Sequence, residues 1–281
     1  MNRVAAATSR RWLLTLLLVI ASAFSVYPML LMLFNSFKTG GELSLNPGGL
    51  PTAPTLANFA DLLSYNGGLI SRTFLNGVFV ATSFTVLAVF ISACAAFAFA
   101  KFHFPGRDLL FVLLLATLMV PYQLQIPALF LFFAKIGWLN TLIVQIVPGT
   151  ASVFTMFFIR QYMQSIPDAL IEAARIDGAS YFRIFWSIIL PVSRPVLGAT
   201  AILMFLQKWN DYLWPIIMVS DPLKLPITVI LPTLNSTSSQ FIIPWPMVLA
   251  GCVVVTIPLV VVFLIFQNSF MSSATLGSVK E

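Results

Sequence analysis

Residues 172–195 read EAARIDGASYFRIFWSIILPVSRP, a polar and charged segment set between long apolar runs. Its order is Glu-Ala-Ala, Asp-Gly-Ala, a phenylalanine-rich amphipathic stretch, and then Pro191 and Pro195. The pattern predicts two short helices that lie outside the apolar part of the molecule.

The first short helix is predicted from local capping chemistry. Ser165 is expected to be its N-cap, with Asp168 three residues on as the reciprocal acceptor. Pro167 fits there because first-turn N–H groups have no partner within the helix. The helix is predicted to run to about Ile176, and Gly178 is expected to take the left-handed conformation that ends it.

The second short helix is predicted to begin at Ser180 and to stop at Pro191. Its apolar residues at helical spacing are expected on one face; they are Phe182, Phe185, Ile188 and Ile189. In the first helix Ala173 and Ala174 are small, so that helix can approach the groove of a partner closely. The residues alone are equally consistent with an ordinary amphipathic connector.

The composition predicts an integral membrane protein. Hydrophobic residues make up 59% of the 281 and charged residues only 9%, and the mean hydropathy is +0.96. A soluble domain carries roughly 25% charged residues. We therefore expect an all-α membrane protein in which most side chains face lipid or other helices.

Six apolar runs are long enough to cross a bilayer, which takes about 20 apolar residues. The predicted spans are 12–34, 74–100, 109–133, 141–159, 196–219 and 247–266. The longest segment on the predicted outer side, residues 35–72, reads as an irregular loop with a short surface helix over about 56–65.

Lys and Arg residues predict the orientation, because they are enriched in the cytoplasmic flanks of spans. With the N-terminus inside, the basic residues of the cytoplasmic segments are Arg3, Arg10, Arg11, Lys101, Arg107, Arg160, Arg175, Arg183, Arg194 and Lys280. Those of the outer segments are Lys38, Arg72, Lys135 and Lys224. Both termini and the 172–195 segment are thus predicted to be cytoplasmic. The net charge of +6 follows from this topology, so no nucleic-acid partner is expected.

The sequence lacks the residues that several classes of function require. The sequence has no GxxxxGK[ST] phosphate loop, so we expect no ATP binding and no catalysis by this chain. Its single histidine, His103, has no partners for a catalytic or metal site, and no metal site is predicted. Carboxylates are scarce within the predicted spans, which disfavours a proton relay.

One polar cluster interrupts the fifth predicted span at Lys208, Trp209, Asn210, Asp211 and Tyr212. Lys208 and Asp211 are three residues apart and close enough on a helix to pair. Either the pair is purely structural, or Trp209, Asn210 and Asp211 line a solute pathway.

An aromatic face beside amide and carboxylate groups suits a polyhydroxylated solute. Gln123 and Gln125, between Pro121 and Pro127 in the third predicted span, are further pathway candidates. Prolines at membrane depth are tolerated where a cavity or a neighbouring helix satisfies the freed backbone groups.

The 172–195 segment resembles the cytoplasmic EAA loop of permease subunits of ATP-binding-cassette (ABC) importers. More narrowly, the chain resembles carbohydrate-uptake permeases, in particular the smaller permease of the maltose-type pair. Further matching segments are Met119-Val120-Pro121, Pro127, Gly137-Trp138-Leu139, Pro148, Phe158-Ile159-Arg160-Gln161, Ser165-Ile166-Pro167, Trp209-Asn210-Asp211 and Pro215.

The resemblance implies the type I importer permease fold, in the bacterial inner membrane. It implies a cytoplasmic N-terminus over residues 1–11, a permease domain over 12–270 with its EAA loop at about 163–195, and a cytoplasmic tail over 271–281. The short tail stretch from Leu276 to Lys280 is similar to one that reaches the ATPase in that family. The loop positions that match the family's ATPase-coupling motif are Glu172, Ala173, Ala174, Asp177 and Gly178.

The implied partners are a second homologous permease, an ABC ATPase dimer, an extracytoplasmic solute-binding protein and membrane lipid. ATP and magnesium would be bound by the ATPase, and this chain is expected to hold no cofactor. The expected function is ATP-driven sugar import. Import of a polyol or glycerol phosphate by the same machinery stays open, as does an ATPase-independent channel or secondary transporter, in which the Glu172 loop would have no role.

Overall fold

The computed structural model describes residues 2–235 and 244–276, and side chains over 11–234 and 244–267. Every regular element in these ranges is helical. The helices are α1 Asn2–Ser36, α2 Gly40–Leu45, α3 Ala57–Lys101, α4 Arg107–Thr117, α5 Tyr122–Lys135, α6 Ile143–Ile146, α7 Val153–Gln164, α8 Asp168–Ile176, α9 Tyr181–Val192, α10 Arg194–Trp209, α11 Leu213–Met218, α12 Ile227–Ile230 and α13 Trp245–Leu276.

The described residues form two compact units. One comprises residues up to Ile70 together with those from Leu231 to Thr256, and the other runs from Ser71 to Ile230 and resumes at Ile257. The candidate site residues all lie in the second unit. Residues 277–281 of the predicted tail lie outside the described part of the chain, and α13 continues to Leu276, beyond the predicted domain limit at 270.

Within the described residues, three helical stretches are long and apolar enough to cross a membrane: Arg11–Ser36, Ala57–Lys101 and Trp245–Gln267. They contain the first, second and sixth predicted spans. Two pairs of shorter helices, α4 with α5 and α9 with α10, pass the same test together, which brings the number to five.

The third predicted span is bent at Pro121. Helices α4 and α5 meet at 93°, because proline offers no N–H and pushes the residue before it out of the helical conformation. Residues 118–120 close tight turns onto the carbonyls three residues back. Pro127 lies inside α5 without ending it.

The fourth predicted span, 141–159, is wrong as a continuous helix. It divides into α6 and α7, because Pro148 lacks an N–H and Gly149 has a left-handed backbone at φ 86°. Helix α7 then starts at its own cap, where the Ser152 hydroxyl accepts a hydrogen bond from the Thr155 amide at 3.2 Å. The sequence-based count of six spans therefore exceeds the number that length and hydropathy support in the described residues.

The fifth predicted span, 196–219, is also divided. Helix α10 ends at Trp209 and α11 begins at Leu213. Pro215 lies in the first turn of α11, where its missing N–H has no partner within the helix to lose. The Asp211 carboxylate accepts the Trp214 amide at 3.2 Å and takes over the role of a cap.

The predicted irregular loop at 35–72 has more order than its composition suggested. The Lys38 side chain is fully buried, and its ammonium donates to the carbonyls of Asn46 at 2.6 Å and Gly49 at 2.7 Å. The predicted short helix is present as the start of α3, which leaves helical geometry over residues 65–68 before it continues.

A buried cluster packs the ends of α3, α4, α7 and α9 together, with Phe97, Ile159, Ile184 and Ile189 among its members. Arg160 is buried beside it, with its guanidinium 3.9 Å from the centre of the Phe111 ring. This cluster forms the base from which α8 projects.

Candidate docking loop and solute cavity

The end of α8 has the capping geometry that its sequence predicts. Gly178 has φ 79°, the Gly178 amide donates to the Arg175 carbonyl at 3.0 Å, and the Ala179 amide donates to the Ala174 carbonyl at 2.9 Å. These two bonds form a Schellman motif, which satisfies the last carbonyls of a helix. The predicted end at Ile176 is confirmed.

The start of α8 differs from the prediction. Ser165 is the C-cap of α7 rather than the N-cap of α8, and its hydroxyl donates to the Tyr162 carbonyl at 2.7 Å. The N-cap is Pro167, because Ile166, which precedes the proline, is pushed out of helical geometry. The Asp168 carboxylate therefore does not form the expected capping box.

Asp168 pairs instead with Lys101 at the end of α3. The ammonium of Lys101, whose side chain is buried, lies 2.7 Å from the Asp168 carboxylate and 2.5 Å from the Ile166 carbonyl. The hydrogen bond from Lys101 holds the pKa of Asp168 below its ordinary value. Lys101 thus ties the first residue of α8 to α3, and the sequence-based interpretation missed this link.

The turn after α8 is held by contacts to α9 and α3. Arg175 donates to the Ala179 carbonyl at 3.1 Å and lies 4.7 Å from the centre of the Tyr181 ring. The Tyr181 ring in turn lies 4.7 Å from the ring of Phe102, which follows α3. The Ser180 hydroxyl accepts the Arg183 amide at 3.3 Å, so the predicted cap of the second helix is confirmed.

The two faces of α8 have different surroundings. Ile171 is buried and Ala174 packs against the same cluster, because residues three apart share one face of a helix. Glu172, Ala173 and Asp177 are exposed. Ala173 can therefore meet a partner, and Ala174, which was predicted to do so too, is used within the fold.

Two large apolar side chains of the 172–195 segment are exposed. Ile176 is 87% exposed and Phe182 is 74% exposed. Phe182 was predicted to share one face with Phe185, Ile188 and Ile189, but Phe185 and Ile189 are buried while Phe182 is exposed. Such a patch on an otherwise polar segment is typical of a protein–protein contact.

The second helix of the segment does not stop at Pro191. Helix α9 includes a π-helical turn over Phe185–Ile189 and continues to Val192. It breaks at Ser193, where α10 leaves at 77°. The break falls there because Arg194 and Pro195 occupy the first turn of α10, where a missing N–H costs nothing.

A separate cavity of about 370 Å³ lies beside the break between α10 and α11. Its lining combines aromatic, amide and charged side chains. The residues are Phe84, Tyr122, Gln125, Leu129, Pro148, Gly149, Gln207, Lys208, Asp211 and Trp214. The breaks before α5, α7 and α11 adjoin it, as expected where irregular backbone lines a cavity.

The charges of the cavity compensate each other. The Lys208 ammonium lies 3.0 Å from the Asp211 carboxylate, with side-chain exposures of 7% and 20%. The same ammonium lies 5.2 Å from the centre of the Phe84 ring. The predicted pairing of Lys208 with Asp211 is confirmed, and the pair leaves the cavity polar without a net charge.

The structure brings only two of the predicted pathway residues, Gln125 and Asp211, to this cavity. Gln123 does not line it, because residues two apart point to different sides of a helix. Trp209 is only 2% exposed and its ring stacks on Phe205 at 5.9 Å. Asn210 is exposed and donates to the Leu206 carbonyl at 2.9 Å, which caps α10.

Sequence reasoning missed Tyr122, Gln207 and Trp214, which line the cavity with the predicted pair. Each lies within three residues of a residue that was predicted. Helical spacing was the available signal, since Gln207 and Asp211 are four apart and Tyr122 and Gln125 are three apart.

A family of transport proteins, the binding-protein-dependent transport system inner membrane component, matches residues 88–272. The chain belongs to this family. This permease is therefore an inner-membrane transport subunit, and the matched range includes the docking loop and most of the cavity lining.

Two curated relatives cover most of the permease. The arabinooligosaccharides transport system permease protein AraQ of Halalkalibacterium halodurans is 34% identical over 96% of both chains. The sn-glycerol-3-phosphate transport system permease protein UgpE of Yersinia pestis is 36% identical over 70% of both chains.

One solved structure has the same fold. A chain of a bacterial ABC transporter involved in import of the acidic polysaccharide alginate superposes with a TM-score of 0.81. The match covers 94% of this permease and 97% of that chain, at 22% sequence identity. The predicted all-α type I importer permease fold is thereby confirmed.

Proposed function

We propose that this permease forms half of the translocation pathway of an ATP-driven sugar importer. The observation that carries the proposal is the exposed patch of Glu172, Ala173, Ile176 and Phe182 on a segment whose two ends are fixed to the membrane-spanning helices. A patch of this kind fits an ATPase groove, and the family match supports a transport role.

The proposed complex contains four kinds of subunit. A second, homologous permease supplies the other half of the pathway, and an ABC ATPase dimer binds ATP and magnesium. A solute-binding protein on the opposite side of the membrane delivers the sugar. This chain itself has no catalytic role in the proposal.

The link between ATPase and pathway is proposed to run through α3. At one end, Lys101 holds α8 through Asp168, and about five helical turns earlier Phe84 lines the polar cavity. At 1.5 Å per residue this stretch spans about 25 Å. When α8 shifts with its ATPase, α3 moves and the shape of the cavity changes. The ATPase thereby favours one conformation of the pathway over the other, as alternating access requires.

The proposed topology has six crossings and both termini in the cytoplasm. The bent pair α4–α5 forms one crossing, α6 with α7 forms a broken one, and α10 with α11 forms the crossing predicted over 196–219. The asymmetry of Lys and Arg supports this orientation.

Cysteine labelling tests the topology in a background with Cys94 and Cys252 replaced by alanine. We expect Ser180→Cys to react with a membrane-impermeant maleimide only in inverted vesicles. Leu50→Cys, on the exposed part of the outer segment, is the matched control and should react in intact cells. Labelling of Ser180→Cys in intact cells would contradict the topology.

The cavity chemistry supports a neutral polyhydroxylated solute. Tyr122 offers a ring for C–H faces, and Gln125 and Gln207 offer amides for hydroxyl groups. Lys208, already paired with Asp211, does not provide a free cation for a phosphate. The AraQ relative is named for arabinooligosaccharides, which agrees with a sugar.

Two neighbouring glutamines provide a matched test of this cavity. Gln125→Leu removes a hydrogen-bonding group from the lining, and we expect sugar uptake to fall by about 10-fold, the loss of one hydrogen bond of roughly 1.5 kcal/mol. Gln123→Leu, two residues away and off the cavity, should stay within about twofold of wild type in the same assay. Equal effects of the two substitutions, with equal amounts of assembled complex, would remove the cavity from the pathway.

Glycerol phosphate is the second candidate, favoured by the UgpE relative. It differs from a sugar by its negative charge. Competition against labelled solute uptake, with neutral oligosaccharides in one arm and glycerol phosphate in the other, separates the candidates. Inhibition by glycerol phosphate alone would exclude the sugar.

A further inference from the structure

An apolar groove of about 670 Å³ lies within the second unit, apart from the polar cavity. It is formed by stretches 82–93 of α3 and 194–205 of α10, together with residues 262–266 of α13. All of these stretches belong to helices that pass the membrane-length test singly or as a bent pair. The groove is therefore at bilayer depth.

The length of the groove matches the hydrocarbon thickness of one leaflet of the bilayer. Its first and last lining positions are about three helical turns apart on both α3 and α10, which corresponds to about 16 Å at 1.5 Å per residue. Half of a hydrocarbon core of roughly 30 Å is about 15 Å. The small residues Ala93, Gly198 and Ala201 leave room for a narrow, flexible occupant.

One charged residue, Arg194, lines the groove, and it stands at the end of the lining stretch of α10. Its side chain makes no ion pair with the part of the chain that the structure describes. A guanidinium group binds phosphate through two parallel hydrogen bonds. Basic pockets between membrane helices are known sites for lipid head groups.

We propose that this groove is a binding site for an anionic phospholipid. One acyl chain lies along α3 and α10, and the phosphate pairs with Arg194. A second protein subunit fits less well, because an apolar helix would leave the arginine without a counter-charge. The acyl chain gains little binding free energy over its place in bulk lipid. The selectivity of the site for an anionic lipid therefore depends on Arg194.

The site can be tested on the complete importer in bilayers that contain phosphatidylglycerol or phosphatidylcholine with a photoactivatable acyl chain. Mass spectrometry should place cross-links on residues 82–93 and 194–205. We expect phosphatidylglycerol to label the groove about fivefold more than phosphatidylcholine, equivalent to roughly 1 kcal/mol for one basic residue near the surface. Lipid cross-links on the exposed face of α1 supply the baseline ratio for non-specific lipid.

Three variants separate head group from tail. Arg194→Gln should bring the ratio of the two lipids in the groove to the α1 baseline, and Arg183→Gln, an exposed arginine outside the groove, should leave it unchanged. Ala201→Phe should block labelling by both lipids. Groove cross-links to the second permease in place of lipid, or an unchanged lipid ratio in Arg194→Gln, would overturn the proposal; both read-outs are independent of transport.

Discussion

Gly178→Val is expected to lower solute uptake by about 5- to 30-fold in reconstituted complexes. The backbone at Gly178 has φ 79°, and beyond the adjacent residues no atom lies within 4 Å of the position that a β carbon would take. The substitution therefore meets a conformational cost and no clash. That cost is about 1–2 kcal/mol, which shifts a conformational equilibrium by about the stated factor. Membrane insertion and affinity for the solute-binding protein should be unchanged.

The controls isolate the docking role. Gly106 also has φ 79° with open space around it, so Gly106→Val carries the same backbone cost in a turn outside α8 and should retain uptake. Gly178→Asn should recover most activity, because asparagine tolerates the left-handed conformation. Glu172→Ala should uncouple ATP hydrolysis from loaded binding protein without any backbone strain.

ATP hydrolysis and uptake must be read together in these variants. A weakened dock removes the contact through which nucleotide state reaches α3, so both stimulated hydrolysis and uptake should fall. Wild-type values of both in Gly178→Val and Glu172→Ala would show that α8 is not the coupling element.

Asp211→Leu is expected to destabilise the permease by about 3–5 kcal/mol. The substitution leaves the ammonium of Lys208 buried without a counter-charge, and breaking a buried pair from one side carries that cost. It also removes the cap at the start of α11, which adds about 1 kcal/mol. The apparent melting temperature of the purified complex and its yield measure the effect.

A double variant separates the buried charge from other causes. Lys208→Met with Asp211→Asn removes the cation and keeps a side-chain oxygen for the Trp214 amide, so most of the lost stability should return. The two positions touch, and their effects should therefore be strongly non-additive. A double variant no more stable than Asp211→Leu would show that the ion pair is not what holds this break together.

The α8–α9 segment was predictable where local chemistry decides it. The end at Ile176, the left-handed Gly178 and the cap at Ser180 each depend on a few neighbouring residues. The start of α8 was mispredicted because Asp168 has a stronger partner in Lys101, which is 67 residues away in sequence. Pairing over such a distance is set by tertiary packing and leaves no local pattern.

The spans were predicted from the length of apolar runs, and this length gives no information on where a helix breaks. Three of the predicted spans are interrupted, at Pro121, at Pro148 and between Trp209 and Leu213, although the average hydropathy stays high across each break. Proline alone does not mark a break, since Pro127 lies inside α5, but Gln123 and Gln125 could have been separated by helical spacing. The cavity itself could not be predicted, because its lining residues come from separate helices that meet only after folding.

The most direct test of the central claim is uptake of sugar by proteoliposomes containing the complete importer. The ATPase faces a compartment that holds ATP and magnesium, and the solute-binding protein is on the other side of the membrane. We expect accumulation that requires ATP, the binding protein and the ATPase subunit together, with no uptake when any one is omitted. Sugar uptake that persists in vesicles without the ATPase subunit would contradict the account and favour a channel or an ion-driven transporter.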